Sequence, residues 1–133
     1  MKNLIIVTGG AGFVGSNLIE FLVKKTKYKI VSWYNYSSGS KKNHIKNKRV
    51  YYVKGDTLDI KKILEKYKNK IISIFHFGEF ARIFQSFKKF DICYQSNSIG
   101  SKAVFKFCLD NNIKLIYSAT SASLGNKGND KNL

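Results

Sequence analysis

The sequence predicts an α/β domain with a doubly wound parallel sheet, and three observations support this. Short apolar runs alternate with longer amphipathic runs along the 133 residues, as in repeated βαβ units. The first apolar run is continuous, as in a central strand with both faces buried. A glycine-rich segment follows that run directly. With right-handed crossovers, the strands are expected in the order 3-2-1-4-5.

The first half of the chain contains three predicted strands and one predicted helix. Residues 4–7 are a continuous apolar run of strand length. Residues 13–25 repeat apolar side chains at helical spacing, which predicts an amphipathic helix. Residues 28–34 and 50–53 are short runs rich in β-branched and aromatic side chains, which predicts two further strands.

The second half of the chain continues the same alternation. Residues 60–67 form a short predicted helix, and residues 71–77 form a fourth strand. Residues 92–111 predict a long helix, because apolar side chains recur there at positions i, i+4 and i+8. Residues 114–118 predict a fifth strand, after which the sequence becomes polar.

Aromatic positions around the fourth strand have simple structural interpretations. Phe77, Phe80, Phe84 and Phe87 recur at helical spacing, which favours packing over a substrate platform. His76 stands at the end of the strand and is interpreted as a structural histidine rather than a catalytic one.

The composition favours a packed cytosolic protein that binds neither membranes nor nucleic acid. No apolar run approaches the roughly 20 residues that a membrane-spanning helix needs. The net charge is +16, but Arg49 and Arg82 are the only arginines and the lysines are scattered. Base recognition usually depends on the planar fork of arginine, so we expect no nucleic-acid partner. The charge can still attract a polyanionic nucleotide.

The cysteines and histidines do not predict a metal site. Cys93 and Cys108 form no CxxC pair, and they form no cluster with His44 or His76 in the sequence. We interpret both cysteines as free, partly buried thiols.

The glycines after the first strand predict a Rossmann-type dinucleotide site. Gly9, Gly12 and Gly15 allow a tight exit from the strand, a close approach to a diphosphate, and close packing of the following helix. The N–H groups and the positive end of that helix can then hold the diphosphate. A glycine turn without a ligand is the alternative.

Six segments resemble the extended short-chain dehydrogenase/reductase family. Within that family they are similar to the NAD-dependent epimerases and dehydratases of nucleotide sugars, UDP-glucose 4-epimerase-like members above all. The fingerprint TGxxGxxG is the best defined of these segments. The resembling segments are residues 8–15, 35–43, 55–59, 75–79, 97–101 and 118–125.

This resemblance implies NAD as cofactor, and it assigns roles to particular residues. Asp56 and the backbone of Thr57 would hold the adenine, and Thr120, aligned from Gly125, would be the catalytic hydroxyl. It implies a nucleotide-sugar substrate for a full-length relative and is compatible with a homodimer. The residues expected to bind the cofactor are Gly9, Gly12, Phe13, Val14, Gly15, Asn35, Asp56, Thr57, Phe77, Gly78, Glu79 and Asn97.

Tyr34 departs from the family pattern at the end of the second strand. The family has an Asp there that binds the ribose hydroxyls and selects NAD. A phenol cannot supply a charged, bidentate acceptor. No arginine follows to favour NADP, although Lys41 and Lys42 are nearby, so the sequence leaves NADP open.

The catalytic Tyr-x-x-x-Lys pair of the family is the second departure. None of the tyrosines in the chain has a lysine four residues later. We therefore expect residues 1–133 to be an incomplete NAD(P)-binding domain, truncated after the fifth strand, without the catalytic helix or the substrate domain. The alternative is a non-catalytic dinucleotide-binding remnant or a subunit that depends on a partner.

Overall fold

The computed structural model, which describes residues 1–37 and 39–120, contains a five-stranded parallel sheet. Its strand order is β3-β2-β1-β4-β5, so the predicted Rossmann-type topology is confirmed. The structure also confirms the predicted strands to within one residue at each end. The strands are β1 (Leu4–Thr8), β2 (Lys29–Tyr34), β3 (Val50–Lys54), β4 (Ile71–His76) and β5 (Lys114–Tyr117).

The helices confirm part of the prediction and correct the rest. The helix predicted at 92–111 begins earlier, and a π-helical segment, Gln95–Gly100, interrupts it. The helix predicted at 60–67 is α-helical only to Leu64 and continues as the 3-10 segment Glu65–Lys70. The α-helices are α1 (Phe13–Lys25), α2 (Ile60–Leu64), α3 (Ile83–Lys88), α4 (Phe90–Tyr94) and α5 (Ser101–Asp110).

Both faces of β1 are buried, as its continuous apolar sequence predicts. Ile5 and Val7 belong to a cluster with Ile19 of α1 on one side of the sheet. Leu4 and Ile6 belong to a second cluster, which contains residues of α2 and α5. Because side chains alternate along a strand, this division places helices on both faces and completes the doubly wound arrangement.

The packing interpretation of the phenylalanines is wrong for two of them. Phe84 and Phe87 are 89% and 78% exposed. Both lie in α3, none of whose residues is buried. Phe77 does pack against the cluster that contains Ile5. Within the described ranges 1–37 and 39–120, no helix has the length and hydrophobicity that a membrane crossing requires.

Candidate dinucleotide-binding site

A cleft lies at the carboxyl ends of β1, β2 and β4, where the strand order reverses. This is the position at which open α/β sheets bind their ligands. Seven of the residues predicted to bind a cofactor line it: Gly9, Gly12, Asn35, Thr57, Phe77, Gly78 and Glu79. We call the part formed by the glycines and the end of β4 the glycine end. Tyr34 and Tyr36 line the opposite part, and we call the cluster of their rings with His44 and Tyr52 the aromatic end.

Two glycines shape the glycine end. Gly9 has φ +69°, a left-handed conformation that costs glycine little, and its carbonyl accepts a 2.9 Å hydrogen bond from the Gly12 N–H. Gly15 lies in the first turn of α1, where a Cβ atom would collide with the Gly9 carbonyl. The absence of side chains therefore lets the start of α1 pack directly against the turn that leaves β1.

The N-terminus of α1 is open to an anion. Its N-cap is Gly12, which provides no side-chain hydrogen bond, and its first turn contains no acidic residue. Phe13 and Val14 are 82% and 56% exposed, and they line an adjoining cavity together with Gly15. The first N–H groups of a helix have no partners within the helix, so this end can accept a diphosphate. The residues present thus fit the diphosphate of a dinucleotide.

A buried hydrogen bond connects β1 to β4 behind the glycines. The N–H groups of Phe77 and Gly78 donate to Thr8 Oγ1 at 3.1 and 3.0 Å. That oxygen then uses its own proton to donate to His76 Nδ1, 2.6 Å away. His76 is fully buried, and this burial lowers the pKa of its imidazole.

The same histidine extends the connection to the edge of the cleft. With Nδ1 accepting, Nε2 carries the proton of neutral His76 and donates to Ser101 Oγ at 2.9 Å. Ser101 in turn donates to Glu79 Oε1 at 2.8 Å. Tyr117 donates to the same oxygen, also at 2.8 Å, and this hydrogen bond raises the pKa of the phenol. The structural interpretation of His76 is therefore confirmed, and Glu79 is held in place from two sides.

The aromatic end is built differently, from rings that contact one another. Tyr34 has its ring centroid 4.2 Å from that of Tyr36, 5.1 Å from His44 and 6.4 Å from Tyr52. His44 stacks on Tyr52 with centroids 3.8 Å apart. The Tyr52 hydroxyl accepts from the N–H of Ile45 at 2.6 Å, which fixes the loop after β2 against β3.

Asp56 and Asn35 lie beside the aromatic end and bond to each other. Asp56 Oδ1 accepts from the Leu58 N–H at 3.0 Å, and Oδ2 accepts from Asn35 Nδ2 at 3.4 Å. Asp56 lines a neighbouring cavity of about 270 Å³, whereas Thr57 is buried and lines the cleft itself. The structure therefore places Asp56 and Thr57, which are predicted to hold the adenine, at the carboxyl end of β3 beside the cleft.

A larger cavity of about 710 Å³ continues from the glycine end. Thr120 lines it, so the predicted catalytic hydroxyl lies next to the cleft. Asn97 also lines it, but the amide is occupied locally: Asn97 Oδ1 accepts from the Phe80 N–H at 2.6 Å, and Nδ2 donates to the Phe80 carbonyl at 2.9 Å. Gly125, from which Thr120 was aligned, lies outside the described residues.

Sequence reasoning missed the partners that hold these side chains. Ser101 and Tyr117 are far from Glu79 in the sequence, and no local pattern connects them. His44 contacts Tyr34 and Tyr52 only because the loop between β2 and β3 folds back. One usable signal was present: Tyr34 and Tyr36 flank Asn35 directly after a predicted strand.

The sequence model of the NAD dependent epimerase/dehydratase family matches residues 5–132. Similar curated proteins include an ADP-L-glycero-D-manno-heptose-6-epimerase from Alkalilimnicola ehrlichii, 29% identical over 124 residues. A UDP-glucose 4-epimerase from Yersinia enterocolitica is 31% identical over 129 residues. These alignments cover 92% and 91% of this chain but only 38% of each relative, so the chain spans well under half of their length.

Solved structures show the same relationship. A UDP-N-acetylglucosamine 4-epimerase from Methanobrevibacter ruminantium, in complex with UDP-N-acetylmuramic acid, is 32% identical with a TM-score of 0.82. It is matched over 98% of this chain and 42% of its own. A UDP-glucose 4-epimerase from Brucella ovis, in complex with NAD, is 26% identical with a TM-score of 0.78, over 92% of this chain and 37% of its own.

Proposed function

The chain belongs to the NAD dependent epimerase/dehydratase family, and on this premise we propose that it is the cofactor-binding part of a nucleotide-sugar epimerase. The observation that carries the proposal is the open N-terminus of α1 behind Gly9 and Gly12, facing the cleft. An uncapped helix end beside close-packed glycines is suited to a diphosphate, and a dinucleotide places its diphosphate there.

The cofactor would lie across the cleft from the aromatic end to the glycine end. Backbone N–H groups at Phe13 and Val14 would hold its diphosphate, with Gly12 leaving room for the approach. Asp56 and the backbone of Thr57 would hold the adenine, at the position where Asp56 already bonds to neighbouring groups. NAD, when bound, supplies the hydride acceptor that oxidation and re-reduction of a sugar carbon require.

The adjoining cavity is proposed to receive the sugar. The Thr120 hydroxyl would donate a hydrogen bond to a sugar oxygen from the wall of that cavity. Glu79 stands where the cleft and the cavity meet, and Ser101 and Tyr117 fix its carboxylate there. The proton-transferring Tyr-x-x-x-Lys pair is not encoded in these 133 residues, so we propose that they bind cofactor without turning over sugar.

Titration with NAD tests the first half of this proposal. Trp33 is the only tryptophan, is 1% exposed and lines the cleft, so its fluorescence reports on binding, with calorimetry as a second readout. A Gly12→Ala variant is expected to bind NAD at least about tenfold more weakly, since a Cβ would obstruct the diphosphate. The control is Leu109→Ala, since Leu109 is an 82% exposed residue of α5 that lines neither the cleft nor the adjoining cavity.

Two results would contradict the proposal. Absence of NAD binding at millimolar concentration would favour the alternative of a degenerate remnant that no longer holds a dinucleotide. Turnover of UDP-glucose or UDP-galactose by the purified chain would show that these residues are sufficient for catalysis, against the second half.

A further inference from the structure

The residue at the end of β2 is the one that would contact the ribose next to the adenine. In Rossmann-type sites an acidic side chain at this strand end accepts hydrogen bonds from the ribose hydroxyls, and its charge disfavours a 2′-phosphate. In this chain the strand ends at Tyr34, which lines the cleft together with Tyr36 and Trp33. The first side chain that the ribose would meet here is therefore a half-buried aromatic ring.

The aromatic end carries no negative charge near neutral pH. Burial and hydrogen bonding to Tyr34 raise the pKa of Tyr36 to about 12. Burial also raises the pKa of Tyr52, despite the opposing hydrogen bond to Ile45. The phenols of Tyr36 and Tyr52 consequently stay protonated at neutral pH.

The neighbouring charges do not replace the missing carboxylate. Among the described residues that line the cleft, Glu79 is the one acidic side chain, and Ser101 and Tyr117 hold it at the glycine end. Asp56 follows β3 rather than β2 and directs its oxygens to the Leu58 N–H and to Asn35.

A cation lies beside the aromatic end instead. The His44 N–H donates to the Lys41 carbonyl at 3.0 Å, so the two residues lie in the same turn. Burial, and then the positive charge of Lys41, lower the pKa of His44. Lys41 begins the 3-10 segment Lys41–Asn43, in the loop that carries His44. A dianionic 2′-phosphate at the end of β2 would thus meet aromatic rings and a nearby cation, while the Asp56 carboxylate after β3 is hydrogen-bonded to Asn35 and to the Leu58 N–H.

We propose that this chain binds NAD and NADP with comparable affinity, because Tyr34 puts a neutral ring where a carboxylate would reject the 2′-phosphate. The inference rests on the proposed function, in that it concerns the same cleft. It makes Tyr34 the residue that determines cofactor specificity.

The test is a titration of the full 133-residue chain with NAD and, separately, with NADP, followed by Trp33 fluorescence and calorimetry. The two dissociation constants are expected to differ by less than about fivefold. A Tyr34→Asp variant restores the charged acceptor, and its preference should shift towards NAD by at least about tenfold. Tyr34→Phe keeps the ring and removes only the hydroxyl, so its ratio should stay close to that of the parent chain.

Tyr51→Asp is the charge-matched control, since Tyr51 is an exposed residue of β3 that does not line the cleft. Its ratio should change by less than about threefold, because solvent and salt screen a distant charge. If Tyr34→Asp does not fold, the ratios of the parent chain and of Tyr34→Phe still decide the matter.

Each outcome has a separate meaning. NAD binding more than about 30-fold tighter than NADP binding in the parent chain would overturn the inference and leave the proposed function intact. Failure to bind either dinucleotide would overturn the proposed function, and the inference with it.

Discussion

The glycine end and the aromatic end of the cleft are stabilised by different kinds of contact. At the glycine end, backbone segments of β1 and α1 touch with no room for a Cβ, and fully buried His76 connects Thr8 to Ser101. At the aromatic end, His44 stacks on Tyr52 in a loop that is only partly covered. Each end contains one of the two histidines of the chain, which makes the ends directly comparable.

Because of this difference, we expect that ligand preference can be changed at the aromatic end without a large change in folding stability. A change at the glycine end disturbs the contact between strand and helix and removes partners from buried polar groups, so it affects folding as well as binding. A change at the aromatic end alters groups that water can still reach, so it affects ligand preference at a small cost in stability.

The largest expected effect is that of Gly15→Ala. Within a helix such a change normally stabilises by about 0.5–1 kcal/mol, because alanine loses less backbone entropy on folding than glycine. Here the new Cβ would collide with the Gly9 carbonyl and come within 2.8 Å of the Gly10 Cα, both of them backbone. We expect the free energy of unfolding in urea to fall by about 3 kcal/mol.

Gly55→Ala is the control for this comparison, because its Cβ would meet the Trp33 ring at 3.4 Å. Its free energy of unfolding should change by less than about 1 kcal/mol. Equal stability of Gly15→Ala and the parent chain would show that α1 can move away from β1, and the contrast between the two ends would lose its basis.

The sequence predicted the glycine end well because its constraints are local. Gly9, Gly12 and Gly15 follow a continuous apolar strand, and the spacing of three residues already implies a turn into a helix. The strand order followed from the handedness of crossovers rather than from any single residue. The break of the long helix at Gln95–Gly100 could not be predicted, since it accompanies the bonding of Asn97 to the Phe80 backbone across a separate loop.

The free energy of unfolding is expected to depend on pH through the two histidines. Burial lowers the pKa of His76 below the ordinary value of 6.5 that applies in the unfolded chain. Between these two values the unfolded state binds the proton and the folded state does not, so stability falls as the pH drops below 6.5. We expect the free energy of unfolding to decrease between pH 7 and pH 5, by at most about 1.4 kcal/mol per pH unit from His76.

His76→Gln and His44→Gln separate the two contributions. His76→Gln should lower stability at pH 7 by about 2 kcal/mol and flatten the decline towards pH 5, because its partners Thr8 and Ser101 lose a buried group. In His44→Gln the free energy of unfolding should still fall between pH 7 and pH 5 by most of the amount seen in the parent chain, since His44 is only partly covered. A decline that survives in His76→Gln and disappears in His44→Gln would reverse the assignment.

At the aromatic end, only the identity of the residue at the end of β2 could be predicted from the sequence, and the contacts of its ring could not. The departure at Tyr34 was visible, because a carboxylate is expected at the end of β2. The contacts of its ring with Tyr36 and Tyr52 were not, since they depend on how the loop between β2 and β3 returns to the sheet. Such loop contacts have no periodicity in the sequence, in contrast to the helix and strand patterns.

The smallest expected effect is that of Tyr52→Phe at the aromatic end. The variant keeps the ring that stacks on His44 and removes the hydroxyl, which accepts from the Ile45 N–H at 2.6 Å and donates to the Ile45 carbonyl at 3.2 Å. Because both backbone groups lie in a partly exposed loop, water can replace the lost partner, and we expect a loss of about 1 kcal/mol in urea unfolding. Tyr51→Phe, on the exposed side of the same strand, should change stability by less than about 0.5 kcal/mol. A loss for Tyr52→Phe as large as that for Gly15→Ala would mean that the aromatic end is as tightly coupled to folding as the glycine end.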